Sequence, residues 1–346
     1  MTGIDTLLAH PTLPRPGANI GLLAHAASLT HDGEHTAHAL NRRPEWTLTR
    51  LFSPEHGFFS TGAAGEKIEA AHHADLNLPI HSLYGKYRSP PPEWLEDLDL
   101  LVIDLQDLGV RCYTYASTLQ NVLHAAAETA CPVLVLDRPT PLAGITDGPN
   151  LDPALRSFVG QIPLPLVYGL SQGPLARCLQ KTDPRLQTLH LTVIPADTAS
   201  ESVWYPPSPG LPSRTSAMLY PLTVWCEAIP EVSVDRGGRR SFQLWAMPDL
   251  KPEALLNTLR LEGVNAAPAI SPEEWPAVQF TLNGQPYFPV RNAVRLLTAL
   301  RDQLGTARLF HAEGARPEFF DKLMGTSELR TALEAGRTAE DICALF

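Results

Sequence analysis

Residues Leu98 to Tyr115 read LDLLVIDLQDLGVRCYTY, and this run narrows what the whole chain can fold into. Its first part, Leu98 to Leu105, is apolar except for Asp99 and Asp104. A run that short, rich in branched side chains, is the pattern of a strand buried on both faces, as in a parallel sheet. The second part turns polar at once, with Asp104, Gln106, Asp107, Arg111, Tyr113, Thr114 and Tyr115. Ligands of open α/β sheets collect beyond the carboxyl ends of the strands, so this stretch is a candidate active site. Asp107 and Arg111 equally suit a structural ion pair at the start of the next helix, and both readings stand at this point.

The same design recurs along the first half. Ala18 to His25, Thr47 to Ser53, Cys131 to Leu136, Leu164 to Tyr168 and Leu189 to Ile194 read as further strands. Helical spacing separates several of them, at His35 to Arg43, Ser117 to Thr129 and Pro174 to Lys181. Strand and helix in alternation predict a Rossmann-like, doubly wound parallel sheet of the α/β class. A chain of 346 residues suits two domains. The proline-rich run Trp204 to Pro212 marks the change. The expected division is a Rossmann-like catalytic domain over 1–198 and a smaller α+β domain over 199–346 that completes the cleft. In the latter, helices are expected near Ala217 to Ala228, Pro252 to Leu261 and Arg291 to Leu304. Strands are expected at Phe242 to Ala246, Val264 to Ile270 and Ala277 to Leu282.

Each expected strand of the first domain ends in polar residue types: His25, then Ser53-Pro-Glu-His-Gly57, Asp104 to Asp107, Asp137-Arg138-Pro139, and Tyr168-Gly169. In a parallel sheet these ends share one rim. Clustered carboxylates raise one another's pKa and need cations beside them, and Arg111 and Arg138 are the obvious ones. Pro54 holds Ser53 extended and Gly57 permits a tight turn, so Glu55 is presented at the rim as a candidate general acid, or as a loop-tying carboxylate. His56 is a candidate catalytic group or a satisfied loop histidine. His72-His73 with Asp75 points two rings apart, so no metal is expected there.

Other templates fail. The chain has no GxSxG, no Walker A sequence and no GxGxxG after its first strand, so no cofactor is expected. Lys+Arg number 27 against 37 Asp+Glu, a net charge of −10 with no basic run, which argues against nucleic acid and anionic membrane as partners. The cysteines number 5 and form no CxxC pair, against a disulfide framework or a cysteine zinc site. Met1 to Pro16 lacks a basic then apolar leader, and no run reaches membrane-spanning length. The expected location is cytoplasmic.

Several motifs occur together in one order: Ser53-Pro-Glu-His-Gly57, Gly65-Glu-Lys67, Ser82-Leu-Tyr-Gly85, Asp104-Leu-Gln-Asp107 with Gly109, Arg111 and Tyr113-Thr-Tyr115, and Leu136-Asp-Arg-Pro139. Gly148-Pro149, Tyr168-Gly169, Pro207-Ser-Pro209, Leu219-Tyr-Pro221 and Arg236-Gly237 follow. In these the chain resembles the exo-β-N-acetylmuramidases of the NamZ type, long catalogued as a domain of unknown function. The resemblance implies a two-domain enzyme of cell-wall recycling that releases N-acetylmuramic acid from the non-reducing end of peptidoglycan fragments. Glycoside hydrolysis needs an acid on the leaving oxygen and a second group to activate water or stabilise an oxocarbenium ion. The resemblance carries the acid role to Glu55, beside His56, and makes Asp107 or Asp104 the candidate partner. Lys67, Arg111 or Arg138 would bind the lactyl carboxylate. Tyr113 and Tyr115 would contact the pyranose, with Gln106, Asp137, Tyr168 and Arg236 as further binding positions. One departure bears on activity: where the family usually has glutamate after Tyr168-Gly169, this chain has Pro174. A catalytically altered or inactive sugar-binding protein of the same fold, or a hydrolase of another acidic sugar or amide, are therefore the competing expectations.

Overall fold

The computed structural model describes residues 1–10, 15–196 and 204–346. Its strands up to the middle of the chain are β1 (Ala18–Leu23), β2 (Trp46–Ser53), β3 (Ala71–His73), β4 (Leu78–Ser82), β5 (Leu100–Ile103) and β6 (Val133–Leu136). Beyond these come β7 (Asp147–Asn150), β8 (Pro165–Val167), β9 (Leu191–Ile194), β10 (Leu244–Ala246), β11 (Val264–Ile270) and β12 (Pro276–Leu282). Two compact units result. The first comprises Met1–Leu108, Thr114–Ala143 and Leu170–Pro209, and the second Gly109–Tyr113, Gly144–Gly169 and Gly210–Phe346.

The first unit is built on a sheet in the order β3-β4-β2-β1-β5-β6-β9. All neighbours are parallel except β3, which lies antiparallel on the edge beside β4. This is the Rossmann arrangement, and the order reverses between β1 and β5, the place where such sheets open a crevice. Leu22 and Leu23 of β1 stand beside Val102 and Ile103 of β5, so the two strands end together. Every residue of β5 and of β6 is buried, which is why both read as unbroken apolar runs. Ile20, Leu22, Leu51, Val102, Leu134 and Leu136 form the heart of the core.

Among the described residues the α-helices of this unit are α1 (Gly3–Ala9), α2 (Thr36–Asn41), α3 (Tyr115–Glu128) and α4 (Gln172–Thr182). The stripe Leu119, Val122, Leu123 and Ala126 is the buried face of α3. Helix α1 enters over the end of β6, where Gly3 donates its N–H to the Asp137 carbonyl at 2.8 Å. A Cβ on Gly3 would stand 2.6 Å from the Asp137 nitrogen, so only glycine permits this approach.

The second unit holds an antiparallel sheet in the order β10-β12-β11 and a separate antiparallel pair, β7-β8. Its helices are α5 (Arg214–Thr223), α6 (Pro252–Thr258), α7 (Pro289–Leu304), α8 (Pro317–Met324), α9 (Glu328–Glu334) and α10 (Ala339–Cys343).

One expectation is corrected. The run Leu164 to Tyr168 does form a strand, but β8 pairs with β7 in the second unit and not with the main sheet. Its proline at the first position suits a short edge strand and not the middle of a parallel sheet. Tyr168 therefore does not stand on the sheet rim. The two compact units interleave along the chain. Gly109–Tyr113 and Gly144–Gly169 belong with the C-terminal unit, and the cut expected between 198 and 199 lies outside the described residues.

Candidate active site

The rim of the first unit is a continuous polar network centred on the crevice between β1 and β5. His25 follows β1 and is fully buried. Its Nε2 accepts the Gln106 N–H at 3.0 Å. That fixes the proton on Nδ1, which faces the Pro207 carbonyl at 3.2 Å. Burial pushes the imidazole pKa down to about 3, so the ring is a neutral tie across the crevice. The Tyr115 hydroxyl, from the first turn of α3, donates to the same Pro207 carbonyl at 3.0 Å. It also lies 3.3 Å from the Glu55 carbonyl oxygen.

Glu55 is buried at the end of β2, and its carboxylate is held from two sides. Oε1 accepts the Gly65 N–H at 2.7 Å, and Oε2 accepts the Thr114 hydroxyl at 2.6 Å. The Tyr84 phenol also hydrogen-bonds Glu55; burial first, and then the Glu55 charge, raise its pKa. The Arg88 guanidinium lies 3.7 Å from the centre of the Tyr84 ring. Gly65 can serve because it sits at φ 76°, in the left-handed region that glycine adopts freely. Thr114 stands at the N-cap of α3 yet makes no side-chain cap bond, and its hydroxyl goes to Glu55 instead.

His56 is buried with φ 69°, and its Nδ1 contacts the Gly62 carbonyl at 2.9 Å, closing the loop on itself. This loop wraps a cavity of about 350 Å³, lined among others by Ser53, His56, Phe58, Ile68 and Ile80, with Lys67 at its exposed edge. Among the described residues Lys67 makes no ion pair or hydrogen bond, so its ammonium remains available.

The other expected site residues of this unit are committed to the fold. Asp104 is 0% exposed and forms a two-pronged ion pair with Arg138, through Nε and, at 2.8 Å, through Nη2. Asp104 also accepts the Thr36 hydroxyl at 2.5 Å, and Arg138 donates to the Leu29 carbonyl at 2.8 Å. Gln106 donates to the carbonyls of Asp107 and Pro139 at 3.0 and 2.9 Å. Asp107 is buried, with one oxygen on the Leu108 N–H at 2.8 Å and the other on Gln172 Nε2 at 2.9 Å. Asp137 caps α4, accepting the Gly173 N–H and the Ser171 hydroxyl, each at 2.8 Å, and burial raises its pKa. Asp104, Asp137 and Arg138 thus each have partners within the protein, as a charge at the end of a buried strand requires.

Arg111, Tyr113, Tyr168 and Arg236 belong to the second unit. Arg111 is buried and donates to three backbone carbonyls, Pro149 at 3.0 Å, Leu164 at 2.5 Å and Met324 at 2.6 Å. Desolvation lowers its pKa to about 10. It knits the unit together and does not offer a fork to a carboxylate. A Cβ at Gly325 would meet Arg111 Nη2 at 2.0 Å, so the glycine that ends α8 is also required by this arginine. Tyr113 packs edge-on to Tyr220, with ring centres 6.1 Å apart. Tyr168 donates its backbone N–H to the Gly109 carbonyl at 2.9 Å. Arg236 pairs with Glu227 and lies 5.0 Å from the centre of the Phe242 ring.

The sequence puts His25 and Thr114 among the polar strand ends and Tyr84 in a motif without giving any of them a role, and it offers nothing on Gln172. Tyr84 and Thr114 carried a usable signal, since both sit inside motifs that flank the candidate acid. Gln172 carried none, because its contact with Asp107 joins residues distant in the chain.

Models of the two domains of the exo-beta-N-acetylmuramidase NamZ match the chain, the N-terminal one over residues 20–215 and the C-terminal one over 218–346. The chain is 32% identical over 360 residues to the peptidoglycan beta-N-acetylmuramidase NamZ of Bacillus subtilis strain 168, spanning 99% of this chain and 86% of that protein. Two crystal structures of DUF1343 family proteins from Bacteroides fragilis NCTC 9343 are similar to it. One superposes with a TM-score of 0.86 at 30% identity over 99% of this chain and 93% of its own. The other has a TM-score of 0.75 at 25% identity over 100% of this chain and 93% of its own.

Proposed function

The chain belongs to the NamZ family of exo-β-N-acetylmuramidases, and on that footing we propose that it is an exo-acting glycoside hydrolase releasing N-acetylmuramic acid from the non-reducing end of peptidoglycan fragments. The observation that carries the reading is the setting of Glu55: a buried carboxyl at the rim of a Rossmann sheet, between two residues that line a cavity, Ser53 and His56, with donors aimed at both oxygens. In this reading Glu55 protonates the leaving oxygen. The Gly65 N–H can only donate, so it keeps Oε1 unprotonated. The Thr114 hydroxyl can donate to the carboxylate or accept from the acid, as can the Tyr84 phenol, and this reading puts the transferable proton on Oε2, the oxygen Thr114 faces. Lys67 faces the lactyl carboxylate, because Arg111 and Arg138 are spent on backbone carbonyls and Asp104. Asp107, whose oxygens are held by the Leu108 N–H and Gln172, and His56, held by the Gly62 carbonyl, support the site in this reading.

Product analysis tests it. Incubation with a muropeptide bearing a non-reducing N-acetylmuramic acid should liberate that free sugar and no internal fragments. Internal cleavage, or intact substrate after long incubation, contradicts it.

One observation favours a second reading, binding without turnover. Pro174 stands in the exposed first turn of α4, where the family usually carries glutamate, and proline offers no acid, base or side-chain acceptor. Calorimetric binding of a muropeptide with no product formed, together with a gain of turnover in Pro174→Glu, selects this reading.

A further inference from the structure

The cavity under the loop after β2 has a composition that restricts its occupant. Its walls are apolar at Phe58, Ile68 and Ile80. Its polar groups are of two kinds. Ser53 is 1% exposed, and its Oγ has no hydrogen-bond partner among the described residues. A buried hydroxyl left that way is costly unless a ligand satisfies it. His56 presents its Nδ1 to the Gly62 carbonyl, a contact that puts a proton on Nδ1 and leaves Nε2 as the nitrogen able to accept. A donor, an acceptor and an apolar wall are what a small neutral amide requires. An anion inside would face Glu66 and Glu69 as well as Lys67, which line the same space.

The cavity and Glu55 share their chain segments. Ser53 and His56 flank Glu55 in sequence. Gly65, whose N–H holds the carboxylate, is followed directly by Glu66 and Lys67. A sugar set with its glycosidic oxygen toward Glu55 would turn the substituent one carbon from its anomeric centre toward these shared segments. In a 2-acetamido sugar that group is the N-acetyl substituent.

We propose that this cavity is the acetamido subsite of the enzyme, with the Ser53 hydroxyl donating to the acetyl carbonyl, His56 Nε2 accepting the amide N–H, and the methyl lying against Phe58, Ile68 and Ile80. The assignment rests on the hydrolase reading for its orientation toward Glu55, and it makes the N-acetyl group a determinant of substrate choice. The lactyl group on the neighbouring ring carbon is then directed to Lys67 at the cavity edge.

Titration calorimetry of the full chain tests it, with N-acetylmuramic acid and with the analogue carrying a hydroxyl in place of the acetamido group, 3-O-lactylglucose. Wild type should bind the acetylated sugar about tenfold more tightly, the worth of one or two well-made hydrogen bonds. Ser53→Ala should erase most of that preference. It should also melt no lower than wild type, since the hydroxyl has no partner inside the protein to lose. Ile68→Phe, which narrows the cavity, should weaken the acetylated sugar and spare the analogue. Equal affinity for the two sugars in wild type, no binding of either, or a preference kept in both variants overturns the subsite. A preference without hydrolysis of muropeptides would sink the hydrolase reading and leave the subsite standing. Hydrolysis without preference would do the reverse.

Discussion

Replacing Thr114 by valine removes one oxygen and keeps the shape of the side chain, so it isolates the bond to Glu55. That bond is 2.6 Å long and buried, and Thr114 makes no side-chain bond to the helix end that valine would also lose. A hydrogen bond to a charged acceptor contributes about 1.5–3 kcal/mol. If Oε2 is the oxygen that carries the proton, the loss falls on the chemical step and lowers kcat by roughly 10- to 150-fold. Thr114 acts through Glu55 and is a positioning residue, so KM should move little, while the pH profile of kcat shifts as the carboxyl loses its switchable partner. Thr114→Ser should restore most of the activity. The assay is steady-state turnover of a chromogenic N-acetylmuramide across pH, with thermal melting as the control for folding. Unchanged kcat in the valine variant, or a serine variant no better than valine, would refute the assignment of the proton to Oε2.

Two further perturbations probe the rim on which Glu55 sits. The folded pKa of His25 is depressed from 6.5 to about 3 by burial, so the unfolded chain binds a proton that the fold excludes. Its stabilising contribution is whole above pH 6.5 and is lost as pH falls toward 3, on the order of 5 kcal/mol at most. His25→Gln, which keeps an acceptor for the Gln106 N–H, should flatten urea-derived stability against pH over that window; an unaltered slope contradicts this. Asp104→Asn should cost about 3–5 kcal/mol by leaving Arg138 buried without its counter-ion, whereas the apolar pair Asp104→Leu with Arg138→Met should recover most of it. Denaturant unfolding decides, and a mild single variant would mean that the pair does not hold the rim.

The parts of the fold that follow from local patterning were legible. The runs at β5 and β6 are apolar because both faces are covered, and the common direction of β1, β2, β5, β6 and β9 follows from the segments between them. What a short apolar run does not encode is its neighbour. Pro165–Val167 has the composition of a core strand and joins another sheet, and Ala71–His73, inside a glycine-punctuated loop, becomes the antiparallel edge of the main one. Helix α1 went unread although a capping pair announces it, with the Thr2 N–H donating to Asp5 at 2.7 Å. At the site, residue types told where polar groups gather but not whom they face. Arg138 and Arg111 carry the chemistry of carboxylate binding, yet Asp104 and three backbone carbonyls occupy them, because a buried guanidinium must satisfy its donors within the fold. Glu55 was found by its place between Pro54 and Gly57. Thr114 was not, since only the folded chain brings its hydroxyl to that carboxylate.

The central claim is that the buried carboxyl of Glu55 performs the proton transfer of glycoside hydrolysis. Glu55→Gln keeps an oxygen for the Gly65 N–H and removes the proton, so the turnover of a chromogenic N-acetylmuramide by this variant is the most direct measurement. With melting unchanged, kcat should fall by about 10²- to 10⁴-fold. Turnover equal to wild type in a correctly folded Glu55→Gln protein would contradict the account.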